Sequence, residues 1–144
     1  MLCLSQTTGY AIKALALLDS PGGQPRLLRD LARTAGIPYP YLAKRMPDLA
    51  AAGLVLTKRG HRGGILLSRP PEQITLLQVS EAVENREWLD RCLLGLETCS
   101  DERACPMHQF WKASRAAIEA NLRSSTLADV VTHQRRLEAA PGLV

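Results

Sequence analysis

Apolar residues recur at helical spacing in three stretches of the first fifty positions. The first stretch covers residues 8–18, and a hydroxyl-bearing residue is available to cap it: Ser5, Thr7 or Thr8. The second covers about residues 27–35, and Gly36 is placed to end it because glycine accepts the left-handed conformation that closes many helices. These stretches predict two short helices that are joined through a turn at residues 21–23.

The third stretch predicts a helix that begins near Pro40, since proline suits the first helical position. Its inward-facing residues are predicted to be Leu42, Met46 and Leu49. Its outward-facing residues are predicted to be Tyr41, Lys44, Arg45 and Asp48. Pro47 removes a backbone hydrogen bond, at about 3 kcal/mol in an unbent helix, so we expect a kink or break there. The short turn at residues 37–39 then makes the second and third helices a predicted helix-turn-helix.

Two β-type runs follow, at residues 54–57 and 65–68, and a basic, glycine-rich segment joins them. This pattern predicts a hairpin wing whose glycines let the backbone approach a phosphate or the minor groove, while Arg59 and Arg62 supply charge. An ordinary solvated hairpin turn is the alternative interpretation. The predicted fold class is mainly α with a small β-hairpin, a winged helix-turn-helix with a long C-terminal dimerisation helix.

The long helix is predicted from Pro106 to about Arg123, after a short helix near residues 76–83 and a polar loop at 85–104. Its apolar stripe comprises Phe110, Trp111, Ser114, Ala117, Ile118 and Asn121 or Leu122. Short neighbouring elements can hardly cover this stripe, so we expect it to pair with a second copy of the chain. Packing against its own first three helices is the alternative. A last short helix from about Thr126 and a loose tail are predicted to follow.

Charge divides the chain into two unlike halves. Residues 1–70 carry ten Lys and Arg against three Asp, a net charge of +7, whereas the remaining residues carry eight against eleven, a net charge of −3. Clustered cations are what phosphate neutralisation needs, so the first half is predicted to bind nucleic acid. A solvated basic surface without a nucleic-acid partner is the alternative. We divide the chain into a DNA-binding domain at 1–84, a cysteine-bearing loop at 85–105, and a dimerisation helix with its tail at 106–144.

Composition narrows the class of protein further. With four cysteines in 144 residues, no export signal and no uncharged apolar run of about 18 residues, the chain is expected in the reducing cytoplasm and outside the membrane. Catalysis is not expected, because the sequence shows no supported Ser/His/Asp order and no phosphate-binding glycine loop.

Three of the four cysteines, Cys92, Cys99 and Cys105, fall within fourteen residues, and His108 follows them. Several soft thiolates in one loop indicate a metal or iron-sulfur site. Spacers of six and five residues, without the two-residue spacing that zinc sites favour, point to an iron-sulfur cluster, 2Fe-2S or 4Fe-4S. Zinc and metal-free redox thiols remain open as alternatives.

Cys105 is expected at the N-cap of the long helix, where the helix dipole favours a thiolate. His108 lies three residues later on the same face and is the predicted fourth ligand, with a surface histidine as the alternative. Cys3 is expected to be a small buried hydrophobe and is not counted as a ligand. His61 is expected near DNA, and His133 in solvent.

These features resemble the Rrf-two family of winged-helix transcription regulators, and within it the iron-sulfur cluster sensors of the IscR and NsrR type. The likeness runs over nearly the whole chain and is carried, in family order, by residues 4–11, 37–42 and 52–55, by Arg59-Gly60 with Gly63-Gly64, and by the three-cysteine loop. The resemblance implies a homodimer with two DNA-binding heads and a cluster bound by Cys92, Cys99, Cys105 and His108. Three departures stand out: the first spacer is six residues where five is usual, an acidic residue of the first helix is replaced near Thr8, and Pro47 is unusual in the recognition helix.

The sequence therefore predicts a DNA-binding regulator, acting as a repressor, whose operator affinity is controlled by a cluster that senses redox, nitric oxide or iron status. The residues expected in the major groove are Tyr39, Tyr41, Lys44 and Arg45. Those expected at the backbone or minor groove are Arg59, His61 and Arg62. The partner is expected to be double-stranded DNA with a near-palindromic operator, its half-sites about 34 to 36 Å apart. A metal-free thiol regulator and a small iron-sulfur electron-transfer protein are the alternatives.

Overall fold

The protein is described by a computed structural model that covers residues 4–84, 87–96 and 98–140. Within these ranges the helices are α1 (Gln6–Leu15), α2 (Leu28–Ala35), α3 (Tyr39–Ala51), α4 (Leu76–Glu84), α5 (Glu87–Asp90), α6 (His108–Ser124) and α7 (Leu127–Ala139). The strands are β1 (Val55–Lys58) and β2 (Gly64–Leu67), and 3-10 turns lie at Pro71–Gln73 and Asp101–Arg103. The expectations for Cys3 and for the loose tail at 141–144 lie outside the described residues.

The first helix begins earlier than its apolar pattern predicts, and it ends three residues earlier. The hydroxyl of Ser5 accepts hydrogen bonds from the backbone N–H groups of Thr7 and Thr8, at 3.1 and 3.4 Å, so α1 starts at Gln6. Such a cap satisfies donors that the first helical turn leaves unpaired. The second helix ends as predicted, because Gly36 takes the left-handed conformation with φ at 65°.

The third helix runs through Pro47 to Ala51, so of the two outcomes predicted there, a kink or a break, the break does not occur. Leu42, Met46 and Leu49 are buried as predicted, and they flank the proline on both sides. Burying three large apolar side chains stabilises this helix by several kcal/mol, which exceeds the about 3 kcal/mol that an internal proline costs. Packing therefore decides the course of the chain where local preference alone indicates a stop.

The wing is a two-stranded antiparallel hairpin in which Val55 faces Leu67 and Lys58 faces Gly64. Glycine is required where the connecting turn ends, because a Cβ at Gly63 would lie 2.3 Å from the carbonyl oxygen of Lys58. At the tip, Arg62 has a positive φ of 75°. A third chain segment braces the hairpin, since Arg26 and Ile65 exchange backbone hydrogen bonds of 3.0 and 2.8 Å.

One apolar core joins α1, α2, α3, the hairpin and α4, and α1 packs against α4 while α4 packs against α6. The side chains of Leu31, Leu49 and Ile74 are fully buried in this core. The last helix enters it as well through Leu127, whose backbone N–H donates to the carbonyl of Ile74 at 2.9 Å. The start of α7 at Leu127 with Thr126 as its cap confirms the prediction from the sequence.

The observed class is a mostly helical fold with a small antiparallel hairpin, as predicted. The loop predicted at 85–104 contains short regular pieces, namely α5 and the 3-10 turn at Asp101–Arg103. Among the residues covered by the structure, helices are all too short or too polar to cross a lipid bilayer.

Candidate metal centre and nucleic-acid interface

The cysteine-bearing loop is attached to the first turns of α6 through two side chains. The indole Nε1 of Trp111 donates to the carbonyl of Arg91 at 2.7 Å, and the guanidinium of Arg115 donates to the carbonyl of Leu89. That guanidinium also lies 5.9 Å from the centre of the Trp111 ring, within range of a cation-π contact. The start of α6 therefore positions the segment that carries Cys92 and Cys99.

Cys105 does not cap α6, which corrects the expectation from the sequence. The N-cap residue is Met107, and Pro106 lies in the turn before the helix. The carbonyl of Cys105 accepts a hydrogen bond from the backbone N–H of His108 at 2.9 Å, closing that turn. Because the helix begins two residues later than Pro106 indicates, the N-cap argument for a Cys105 thiolate does not apply.

Cys92 and Cys105 form one contacting pair of thiols, and both are half-buried and free of disulfides. The pKa of Cys92 is held below its usual value, chiefly because the backbone N–H groups of Leu96 and Leu94 hydrogen-bond to the sulfur. The thiol of Cys105 adds a further hydrogen bond to the same sulfur. These contacts favour the thiolate form of Cys92, which is the form that binds soft metals.

Cys99 and His108 form the second pair. The sulfur of Cys99 lies 3.2 Å from Nδ1 of His108, whose side chain is buried. The other ring nitrogen, Nε2, lies 2.8 Å from Oδ1 of Asp101. Lys112 donates to both oxygens of Asp101, at 2.9 and 3.0 Å, and the pKa of Asp101 is lowered first by Lys112 and then by His108. This chain of contacts was not predicted from the sequence.

The three cysteines of the loop and His108, the first residue of α6, are thus brought together as two pairs, linked by the turn between Cys105 and His108. Across the described part of the chain, no three Cys, His, Asp or Glu side chains converge on a point as a single metal ion requires. The donor set still fits a cluster in kind, because three free thiols and one buried imidazole are the ligands that iron-sulfur centres use.

The predicted DNA-contacting residues lie at the start of α3 and on the wing, and most of them are open to solvent. The exposed ones are Tyr39, Lys44, Arg59, His61 and Arg62. Arg45 is half-buried and its guanidinium is 2.9 Å from a carboxylate oxygen of Asp48. The exposed set supplies cations at both the recognition helix and the wing tip, as a groove-binding head requires.

Tyr41 differs from the other members of this set because its side chain already has partners inside the protein. Its ring meets that of Tyr10 edge to face, with centroids 5.3 Å apart, and its hydroxyl hydrogen-bonds to that of Thr7. Because a phenolic hydroxyl can both donate and accept, a contact with DNA would add a second hydrogen bond to this one. Tyr41 is therefore placed to connect α1 with the recognition helix.

A second contact, between the start of α1 and the end of α4, was also not predicted from the sequence. The hydroxyls of Ser5 and Thr8 both donate to a carboxylate oxygen of Glu84, the last residue of α4. Thr8 is fully buried, so its hydroxyl needs such a partner. The only sequence signal was a carboxylate at the end of an apolar helix and hydroxyls at the start of another.

Comparison with known proteins places this geometry in a family. A family model described as Rrf2, iron-dependent transcriptional regulator, matches residues 4–133. The HTH-type transcriptional regulator IscR of Yersinia pseudotuberculosis is 34% identical over 134 residues, which cover 91% of this chain and 80% of that protein.

Two solved structures share the fold over almost the whole chain. The global cysteine regulator CymR of B. subtilis has a TM-score of 0.76 and 25% identity, covering 92% of this chain and 98% of CymR. IscR of T. potens has a TM-score of 0.73 and 27% identity, covering 97% of this chain and 93% of that one. The chain therefore belongs to the Rrf2 family and is a winged-helix, DNA-binding transcription regulator, not an enzyme.

Proposed function

We propose that this regulator holds an iron-sulfur cluster in the loop between α5 and α6, and that occupancy of this site controls its affinity for a near-palindromic operator. The observation that carries the proposal is the placement of four soft or borderline donors in two contacting pairs, Cys92 with Cys105 and Cys99 with His108. The family description as iron-dependent supports the same conclusion.

Cys92, Cys99 and Cys105 would hold the cluster through thiolates, and His108 would complete the set through its imidazole. When bound, such a group supplies a centre that reacts with oxidants and nitric oxide and that is lost when iron is scarce. The chain itself contributes the order of the loop. Trp111 and Arg115 fix the backbone at Arg91 and Leu89 against α6, so the ligands stay close to the start of that helix.

The described contacts offer a route from the loop to the DNA-binding head. Residues that follow α4 lead into the loop, and Glu84 at its end binds Ser5 and Thr8 of the first helical turn. In the same turn Thr7 binds Tyr41 of α3. A shift of α4 relative to α1 would therefore move the predicted recognition helix, α3. In this proposal, loop occupancy changes DNA affinity through that movement.

A homodimer is part of the proposal, because reading a palindrome requires a twofold axis. Its support is the outer face of α6, where Phe110 leaves 59% of its surface exposed. The proposed interface is a pairing of two α6 helices, and sedimentation equilibrium of the purified protein measures the assembly directly.

The experiment that tests the cluster is anaerobic reconstitution with iron and sulfide, followed by absorption and EPR spectra and by analysis of bound iron and sulfide. We expect a coloured protein with stoichiometric iron and acid-labile sulfide. The variants Cys92→Ser, Cys99→Ser and Cys105→Ser should each lose most of the absorption, because a cluster loses a thiolate ligand in each case.

Two control variants keep the test specific. Cys3→Ser removes the one cysteine outside the proposed ligand set, and His133→Ala removes an exposed histidine on α7. Both should reconstitute like the unaltered protein. A colourless unaltered protein, or loop variants that load as fully as the unaltered protein, would exclude the proposed site.

A metal-free thiol regulator is the second candidate, and the contact between the Cys92 and Cys105 thiols favours it. Hydrogen peroxide would oxidise the two thiols: its O–O bond breaks, a disulfide forms between the sulfurs, and the two thiol hydrogens leave in two molecules of water. CymR, which resembles this chain in structure, is itself a regulator of cysteine. Mass spectrometry of peroxide-treated apo protein, compared with Cys99→Ser as a matched variant, tests for a Cys92–Cys105 bridge.

A further inference from the structure

His108 is held by partners on both ring nitrogens although its side chain is almost entirely buried, with 3% of the residue exposed. Nδ1 faces the sulfur of Cys99 at 3.2 Å, and Nε2 faces the carboxylate of Asp101 at 2.8 Å. A buried ring cannot turn to solvent to change these partners. Its protonation pattern is therefore set by the two groups that it meets.

A carboxylate can only accept a hydrogen bond, so the nitrogen that faces Asp101 must carry a hydrogen. In the neutral ring only one nitrogen carries a hydrogen, and Nδ1 is then left with a free lone pair beside Cys99. A thiol can act as either donor or acceptor and thus imposes no choice of its own. Asp101 is the partner that selects the tautomer.

The carboxylate of Asp101 is itself fixed in place by a second group. Lys112 lies one helical turn after His108 in α6 and donates to both oxygens of Asp101, at 2.9 and 3.0 Å. The side chain of Asp101 is 70% exposed, so a single hydrogen bond in solvent would hold it weakly. The ammonium of Lys112 and the imidazole of His108 together restrict it to one orientation.

We propose that Asp101, held by Lys112, is a positioning residue that keeps His108 in the Nε2–H tautomer and so makes Nδ1 the nitrogen available as a ligand beside Cys99. The inference deepens the proposed function and rests on it for the identity of the ligand centre. It adds which nitrogen binds and which two residues outside the cysteine pattern make that nitrogen available. Removal of a carboxylate that hydrogen-bonds to a ligating histidine typically lowers metal affinity by about 10- to 100-fold.

The first test uses apo protein and needs no cluster. Long-range nitrogen-15 NMR of histidine-labelled protein, at a pH where imidazole is neutral, shows which ring nitrogen carries the hydrogen. Comparison with His108→Ala assigns the signal of His108. The exposed His61 and His133 serve as internal references for the nitrogen-15 shifts of imidazole rings in solvent. We expect His108 to be the Nε2–H form, whereas a Nδ1–H, mixed or doubly protonated ring would overturn the proposal.

Variants of Asp101 and Lys112 test whether these residues determine the tautomer of His108. Asp101→Ala should move the tautomer ratio of His108 by about tenfold, the effect of losing a charge-assisted hydrogen bond. Lys112→Met should move it in the same direction by less, because Asp101 then loses its support. Glu102→Ala removes a neighbouring exposed carboxylate and should leave the ratio unchanged. An unchanged ratio in Asp101→Ala would overturn the role of Asp101.

The second test uses the reconstituted protein. Pulsed EPR of a reduced sample resolves the coupling of the unpaired electron to a ligating nitrogen, and selective nitrogen-15 labelling identifies Nδ1. We expect a directly bound Nδ1 in the unaltered protein and an altered coupling in Asp101→Ala. Binding through Nε2 would overturn the proposal. A protein that takes up no cluster while its apo tautomer follows the prediction would contradict the proposed function and leave the role of Asp101 supported.

Discussion

The DNA-binding head and the cysteine loop are built on opposite principles. The head is held by apolar packing, with Leu31 and Leu49 at 0% exposure. The loop exposes 67% of Leu96 to solvent, and a handful of polar contacts fix it to α6. Because burial stabilises by about 25 cal/mol for each Å² of apolar surface, the head carries most of the free energy of folding.

The contrast shows why sensing belongs in the loop. A segment held by a few hydrogen bonds opens at a small cost in free energy, whereas a packed core moves as one body. Changes in the loop can therefore alter its order without unfolding the head. The contact of Glu84 with Ser5 and Thr8 then matters, because it joins the adjustable segment to the rigid one.

The largest expected effect is on the head. Leu49→Ala removes a fully buried side chain from α3 and should lower the free energy of unfolding by about 2–5 kcal/mol, measured by urea denaturation. Leu96→Ala is the matched deletion in the loop and should change it by less than about 0.5 kcal/mol. Equal losses in the two variants would mean that the loop is packed like the core.

The next effect is local to the loop. Trp111→Phe keeps most of the ring but removes the hydrogen bond to the carbonyl of Arg91, which leaves that carbonyl without its indole donor. The loop should open more readily by about 1–3 kcal/mol. Hydrogen exchange measures this as faster exchange in residues 90–99, and protection of α2 should remain the same. Faster exchange in α2 as well would show that the two regions are not separable.

Substitution on the wing should affect DNA binding but not the loop. Arg59→Ala or Arg62→Ala removes one exposed cation from the hairpin tip. Each should weaken operator binding and reduce the slope of log affinity against log salt by about one. Arg123→Ala, a change at an exposed cation near the end of α6, is the control and should leave the slope as it was.

The smallest effect is expected between α1 and α3. Tyr41→Phe removes the hydroxyl that pairs with Thr7 and should lower the free energy of unfolding by about 0.5–1.5 kcal/mol. Its informative consequence is a smaller difference in operator affinity between loaded and metal-stripped protein. If that difference keeps its full size, the route from loop to head does not pass through Tyr41.

Sequence reasoning succeeded where one short-range rule decides the outcome. Helical spacing located the buried face of α3, and Gly36 and Thr126 marked helix boundaries. It left two outcomes open where rules compete, as at Pro47, and the helix continues unbroken there because Leu42, Met46 and Leu49 pack on both sides of it. It misplaced the start of α6, since a turn through Cys105 and His108 replaces the cap expected there.

The candidate site divides in the same way. Clustering in sequence is enough to single out the four proposed ligands. It cannot show that Cys92 meets Cys105 while Cys99 meets His108, because those pairings depend on how the loop turns. Asp101 and Lys112 carried no distinctive pattern, and only the folded loop brings them to His108.

If the cysteine loop controls the DNA-binding head, one preparation of the protein should bind its operator with different affinities in its loaded and iron-free states. Fluorescence anisotropy with a labelled operator duplex would be recorded for anaerobically loaded protein and for the same sample after removal of iron. We expect dissociation constants that differ by about tenfold or more, within the usual range of allosteric coupling. Equal constants, with absorption spectra proving full loading and full removal, would contradict it.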